Sequence, residues 1–285
     1  FVNKDTPVNA LESLPVNEAR IYFSDFRDEM GRSTDQYAIV DTKVDEFDYP
    51  GQDEEKKHRW TGERGVPVGT PLTRLAHSVL FSDRNMLVSG NITGTTRVLY
   101  RRGVLERASL IYPFLRFDSD PYIVVHKGRI VWILDGYTTT GQIPYSARLQ
   151  GDRQHLNYIR NSVKVVLDAY TGVSTAYAIE PEEPLLKAYR KIYPNLVKDR
   201  SEVPEGIAEH FRYPEDLFAL QSMQLTQYHV DDRAVFLNNE DAWDLASERG
   251  IHGESAQMRP YYVQLQLPGE PKSGFLLILP FTPRE

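Results

Sequence analysis

Asp118 and Asp120 flank Ser119 immediately before Pro121, in a stretch expected to be a loop leading into a strand. Alternate aspartates can grip a hard cation through their oxygens, but a calcium loop needs further oxygen ligands at fixed spacing and a glycine turn. Neither is present, so the plainer reading is a cap or turn, with Asp118 and Asp120 kept as weak metal candidates. A second set is built around Asn157-Tyr-Ile-Arg160-Asn161, which carries polar groups into a strand. A guanidinium holds a carboxylate or phosphate through two parallel N–H groups. Arg160 and Asn161, together with Asp135, Tyr137, Arg212 and Tyr213, would line a polar cleft; an internal Arg–Asp network is the blander alternative. His210 and His229 bracket an expected helix and lie too far apart to share one of its faces. They would ligate a metal only if the fold joined them to a carboxylate.

Several chemistries find no carrier. There is no Gly-x-Ser-x-Gly elbow and no His-Glu-x-x-His pair. Gly62-Glu-Arg-Gly65 is too short for a phosphate loop and lacks its lysine. The sequence has 0 cysteines, which excludes disulfides, cysteine–zinc sites and thiol nucleophiles. Thr138-Thr139-Thr140 clusters hydroxyls after a strand, where a turn explains them. Nothing calls for a cofactor.

These residues sit on elements that hydrophobic periodicity outlines. A loop rich in Gly, Pro and charge is expected from Asp48 to Pro71, its charges balanced in Asp53–Arg59. Pro71–Leu80 reads as a helix with Leu72, Leu75, Ala76, Val79 and Leu80 on one face, Thr70 as N-cap and Pro71 at the first position. A second helix is expected from Thr95 to Tyr112. Tyr122–His126 and Arg129–Leu134 are strands joined by a tight turn at Lys127-Gly128. Ser162–Leu167 and Val173–Ile179 form a second hairpin, with Gly172 supplying a left-handed residue. Leu134-Asp-Gly-Tyr-Thr138 and Leu167-Asp-Ala-Tyr-Thr171 share a phrase, read as similar turns or as a duplicated hairpin. The second copy also resembles the strand–Asp–x–x–Thr–Gly turn of small extracytoplasmic domains of the PepSY kind. Helices return at Pro184–Ile192, Pro204–His210, Tyr213–Tyr228 and Ala242–Arg249. The last strands are Tyr261–Leu267, alternating, and Phe275–Leu279, continuously apolar like a central strand.

The fold class that follows is α+β: antiparallel hairpins with several flanking helices, mixed in one globule over 1–285, with any internal seam near Pro181. A chain of 285 residues with 41% hydrophobic content can build an ordinary core. The 40 acidic against 33 basic residues give a net charge of −7, which argues against a nucleic-acid partner. No run approaches the ~20 apolar residues of a spanning helix. The chain begins at Phe1, as expected of a processed product or a piece of a longer protein. Its 17 tyrosines exceed its 12 phenylalanines, a balance that suits wet recognition surfaces as well as core and rim.

Six phrases occur in order: Glu46-Phe-Asp-Tyr-Pro50, Asp118-Ser-Asp-Pro-Tyr122, Asn157-Tyr-Ile-Arg-Asn-Ser-Val-Lys164, Arg212-Tyr-Pro-Glu-Asp-Leu-Phe218, Asn238-Asn-Glu-Asp-Ala-Trp243, and Pro260-Tyr-Tyr262 through Pro280-Phe-Thr-Pro283. From about Arg20 onward the chain closely resembles uncharacterised protein family 0182 of the UPF series. That resemblance implies a bacterial polytopic membrane protein, hydrophobic helices first and a large hydrophilic region after them. This chain is similar to part of that region and ends before it does. No established activity or catalytic residue comes with the resemblance. The expectation is an extracytoplasmic binding or interaction module at the cell membrane, whose partner is its own transmembrane region or another envelope component. The alternatives are an extracytoplasmic hydrolase or transferase on envelope material, in which His210 joins the groups to test, and a docking domain of a transporter assembly.

Overall fold

The computed structural model describes residues 16–27, 37–50, 55–148, 155–238, 242–249 and 255–284. The architecture is α+β, with strands paired antiparallel except for one short parallel pair in the main sheet and isolated parallel bridges. Contacts group into two compact units, Phe1–Phe117 with Pro121–His210, and Asp118–Asp120 with Phe211–Glu285. Neither division falls at Pro181.

The first unit starts with β1 (Ala38–Val40), β2 (Glu46–Pro50), β3 (Glu55–His58) and β4 (Val66–Pro67). The expected loop over 48–71 is thus partly a hairpin, β2 against β3. An exposed two-stranded ribbon tolerates charges such as Lys57, which composition alone had marked as loop. Helices α1 (Pro71–Phe81) and α2 (Asn85–Val88) follow, then β5 (Arg97–Leu99) and α3 (Val104–Ile111). Thr70 caps α1 through a reciprocal box with Thr73, and Ser82 closes it in the left-handed region. The long helix expected at 95–112 is two elements. Thr95, Thr96 and Val98 are β-branched, which favours the strand, and Gly103 is the N-cap where α3 starts. β5 is central in a three-stranded sheet, between β1 and β4.

The main sheet contains β6 (Arg116–Phe117), β7 (Tyr122–His126), β8 (Arg129–Thr140), β9 (Tyr158–Asp168), β10 (Ser174–Ala178) and β11 (Val197–Lys198), with α4 (Pro184–Ile192) before the last. Its order is β11-β10-β9-β8-β6, and β7 also pairs with β8. The β7–β8 turn has positive φ at Lys127 (49°) and Gly128 (77°), the signature of a tight hairpin. Gly172, at φ 69°, closes the β9–β10 turn against the Phe23 ring. Val163, Val165, Leu167 and Leu134 enter one core with Tyr112, Leu115 and Leu186. Side chains alternate along a strand, so the opposite face receives Ile133, Asp135, Lys164 and Val166, also buried. The shared Leu-Asp-x-Tyr-Thr phrase takes two conformations: the second copy is a turn, whereas the first lies inside β8, which runs on through Thr138-Thr139-Thr140. Residues 204–210 form no α-helix but a single 3-10 turn at Ala208–His210.

The second unit has α5 (Glu215–Tyr228), α6 (Arg233–Asn238) and strands β12 (Trp243–Leu245), β13 (Ser247–Arg249), β14 (Ser255–Gln257), β15 (Tyr261–Leu265), β16 (Gly274–Ile278) and β17 (Phe281–Pro283). These make three two-stranded ribbons, β12 with β17, β13 with β14 and β15 with β16. Residues 242–249, expected as a helix, are strands. β16, expected as a central strand, pairs only with β15 among the described residues, and its Phe275 is exposed. Among the described residues no helix is long and apolar enough to cross a membrane.

Candidate functional site

The predicted cleft residues do not converge on one place. Asp135 and Lys164 are direct partners across β8 and β9. They form an ion pair with each side chain only 3% exposed. Asn161 Nδ2 donates to Asp135 Oδ1 at 2.6 Å, so that carboxylate is held from two directions. A bulge between Gly136 and Tyr137 shifts the register, which sets Tyr137 opposite Asn161 and Thr138 opposite Arg160. Tyr137 is buried, while Arg160 is exposed and lies 6.0 Å from the Tyr158 ring centroid. Thr138 and Ser162 share a buried hydroxyl bond of 2.7 Å. Nearby, Tyr158 donates to Glu183, whose carboxylate also caps α4 through the Leu185 and Leu186 amides. The sequence reading found Asp135 and Asn161 but not Lys164, which sits in an apolar run. The signal was its position opposite Asp135, and the bulge hides that register.

Arg212 and Tyr213 precede α5 in the second unit. The Arg212 guanidinium lies over the rings of Tyr262 (5.5 Å) and Phe275 (5.1 Å), which stack on each other at 4.6 Å. Tyr213 donates to Gln221 at 2.7 Å, and its carbonyl accepts from the Tyr262 hydroxyl. Asp118 and Asp120 belong to this unit. Asp118 Oδ1 accepts the Asp120 amide and Oδ2 the Asp216 amide, both at 3.0 Å. Pro214, the N-cap of α5, has no side chain to give; Asp118 supplies the cap from 98 residues away. Ser119 bonds Asp216 through its amide and hydroxyl, both at 3.2 Å. Glu215 shares this corner. Burial, then Asp120, Asp118 and Asp216, push its carboxyl up to about 7, against a downward pull from Arg212. Among the described residues no three His, Asp or Glu side chains are placed to hold a metal ion.

The two histidines are apart. His229 ends α5, bonds the Leu225 carbonyl and stacks on Trp243 with centroids 3.8 Å apart. His210 is in the first unit at the exposed end of the 3-10 turn. Its neighbour in charge is His126, whose basicity is lowered by burial, then by Lys127 and His210.

An unexplained feature lies on α1 and α2. Arg74 turns inward to the Ile92 carbonyl at 2.8 Å and Ser78 to that of Asp83 at 2.8 Å. Phe81 stacks on Tyr37 at 4.3 Å, over a small core of Val68, Met86, Ile92 and Val98. The apolar face of α1 therefore points out. Leu72 is 76%, Val79 72%, Leu80 63% and Leu75 50% exposed, continued on α2 by Val88 at 80%.

The model of Uncharacterised protein family (UPF0182) matches residues 1–285. A UPF0182 protein of Moorella thermoacetica is 43% identical over 286 residues, covering 99% of this chain and 30% of that protein. One from Caldicellulosiruptor saccharolyticus is 41% identical, and one from Sulfurovum sp. 39%, with the same 99% and 30% coverage. The chain thus spans 30% of the length of these curated relatives. No solved structure matches.

Proposed function

The chain belongs to Uncharacterised protein family UPF0182, and from that premise we propose that it is a binding module of a longer, membrane-anchored protein, placed on the extracytoplasmic side. The observation that carries this reading is the outward apolar face of α1 and α2. Contiguous apolar surface of this kind marks an interaction site, since water penalises its exposure and isolated monomers rarely keep much of it. Two further facts support it. The chain spans 30% of the length of the Moorella relative, which therefore carries further sequence beyond the matched part. Asp135, one of the carboxylates a hydrolase or transferase would draw on, is buried and held by Lys164 and Asn161.

Hydroxyl-radical footprinting tests the proposal. Leu72, Leu75 and Val79 should be oxidised readily in the 285-residue chain and markedly less in the full-length protein in its membrane. Equal oxidation in both states overturns it.

A further inference from the structure

We infer that a cleft between α4 and β11 binds the phosphate group of a phosphorylated polyol. The cleft lies within the first unit and has a volume of about 800 Å³. Lys187, Arg190 and Lys191 line it from α4, and Lys198 lines it from β11. Lys187 and Lys191 are one helical turn apart, so they share a face and repel each other. A basic last turn complements a helix dipole, but the dipole gives no account of Lys198, which comes from a strand.

Three carboxylates line the cleft too, and each is paired with one of these cations. The pairs differ in what they leave available. Arg190 is half-buried and donates to Asp199 at 2.6 Å, which ties α4 to the residue after β11 and forms a wall. Lys187 meets Glu182 at the exposed surface, where a pair contributes little and exchanges readily. Lys198 stands 3.8 Å from Glu202, and Glu202 already accepts the Asp199 amide at 3.2 Å in its own capping box. Lys198 can therefore turn to a ligand without leaving that carboxylate unheld. The Lys191 ammonium has no ion pair or hydrogen bond among the described residues, and neither has the Asn195 carboxamide beside it in the lining. An ammonium is a point charge that suits a phosphate, whereas a planar carboxylate is matched by a guanidinium fork, and Arg190 is already on Asp199. The volume lies within the roughly 300–1,000 Å³ of small-molecule sites, well beyond what an inorganic ion fills. Among the described residues none that lines the cleft is aromatic, so a nucleobase or a sugar ring finds nothing to stack on. A flexible hydroxylated body remains.

The probe is sorbitol 6-phosphate, titrated into the 285-residue chain and followed by amide chemical shifts in NMR, with inorganic phosphate and succinate as comparisons. Amides of residues 187–202 should shift saturably, and both comparison anions should bind there more weakly. Lys191→Gln should weaken binding about tenfold, as expected for losing one hydrogen bond to a charged group. Lys272→Gln, which removes an exposed charge in the other unit, should leave it unchanged. Circular dichroism confirms that each variant is folded. No saturable shift in residues 187–202, or binding that Lys191→Gln retains, overturns the site. Succinate binding as tightly overturns the phosphate assignment, and inorganic phosphate binding as tightly overturns the polyol. The footprint at Leu75 reads a different surface, so either proposal stands if the other fails.

Discussion

Lys164 faces Asp135 in the middle of a sheet whose two faces are both buried. Each charge is tolerated there because the other is in contact, and removing one leaves the second unpaired. That loss costs about 3–5 kcal/mol, so Lys164→Met should lower stability by that amount in urea unfolding. The double variant Lys164→Met with Asp135→Asn should cost less than Lys164→Met alone, because no uncompensated charge remains inside. At Glu215 two electrostatic effects compete. The α5 N-terminus favours an anion there by about 0.3–1 kcal/mol, but burial and three neighbouring carboxylates outweigh it and push the carboxyl up to about 7. The folded chain keeps this proton to about 7, whereas an unfolded chain releases it near 4.5. Folding is therefore most favoured by this group below 4.5, and the contribution is lost as pH rises to 7. Glu215→Gln should raise the melting temperature at pH 8 and leave it unchanged at pH 4; a gain equal at both values refutes the assignment. Neither pairing was legible in the sequence. Asp135 could be singled out as a polar group between strands, but its partner depends on a register, and Glu215 acquires two of its three carboxylate neighbours, Asp118 and Asp120, from a loop 95 or more residues away.

The N-terminus of α5 shows how an element can be readable while its support is not. Pro214 and the acidic first turn announce the helix, yet the cap is Asp118. Asp118→Ala should cost about 1 kcal/mol for the lost cap. It should also bring the Glu215 carboxyl down, since one of the charges raising it is gone; titration by carbon-13 NMR would read that directly. Hairpins were legible because period-two alternation and glycine turns are local. The strand at Arg97–Leu99 was not, because its few apolar residues also fit a helical stripe and only pairing with β1 and β4 decides between them. α1 is the instructive case. Its limits, cap and stripe are all local and were read correctly. Which way the stripe points depends on Arg74, Ser78 and Phe81 finding partners underneath. Leu75→Ser should therefore change stability by no more than about 0.5 kcal/mol, the range of ordinary surface positions. A loss of about 2 kcal/mol or more, typical of a core leucine, would show that the face is packed within this chain.

Across the whole molecule, the buried apolar residues are concentrated in one of the two units. The first unit has a six-stranded sheet whose central β8 and β9 are covered on both faces. The second has only two-stranded ribbons among the described residues, with Tyr261, Leu265 and Phe275 exposed. A two-stranded ribbon is marginal in water, whereas three or more strands with a buried face are self-supporting. Local opening should therefore be cheap in β15 and β16 and approach the global unfolding cost in β8 and β9. An opening cost greater by about 2.8 kcal/mol slows amide exchange roughly a hundredfold. Hydrogen exchange of the 285-residue chain should show at least that ratio between amides of residues 131–135 and those of 261–265. The α5 N-terminus should be more protected than the ribbons, because it is capped by residues 118–120, which the chain delivers from between two strands of the main sheet, β6 and β7. The same connection means that residues 211–285 alone lack the cap, and in that polypeptide the amide of Asp216 should exchange as fast as an unstructured one. Slow exchange there in the absence of residues 118–120 would show that α5 holds its first turn without Asp118.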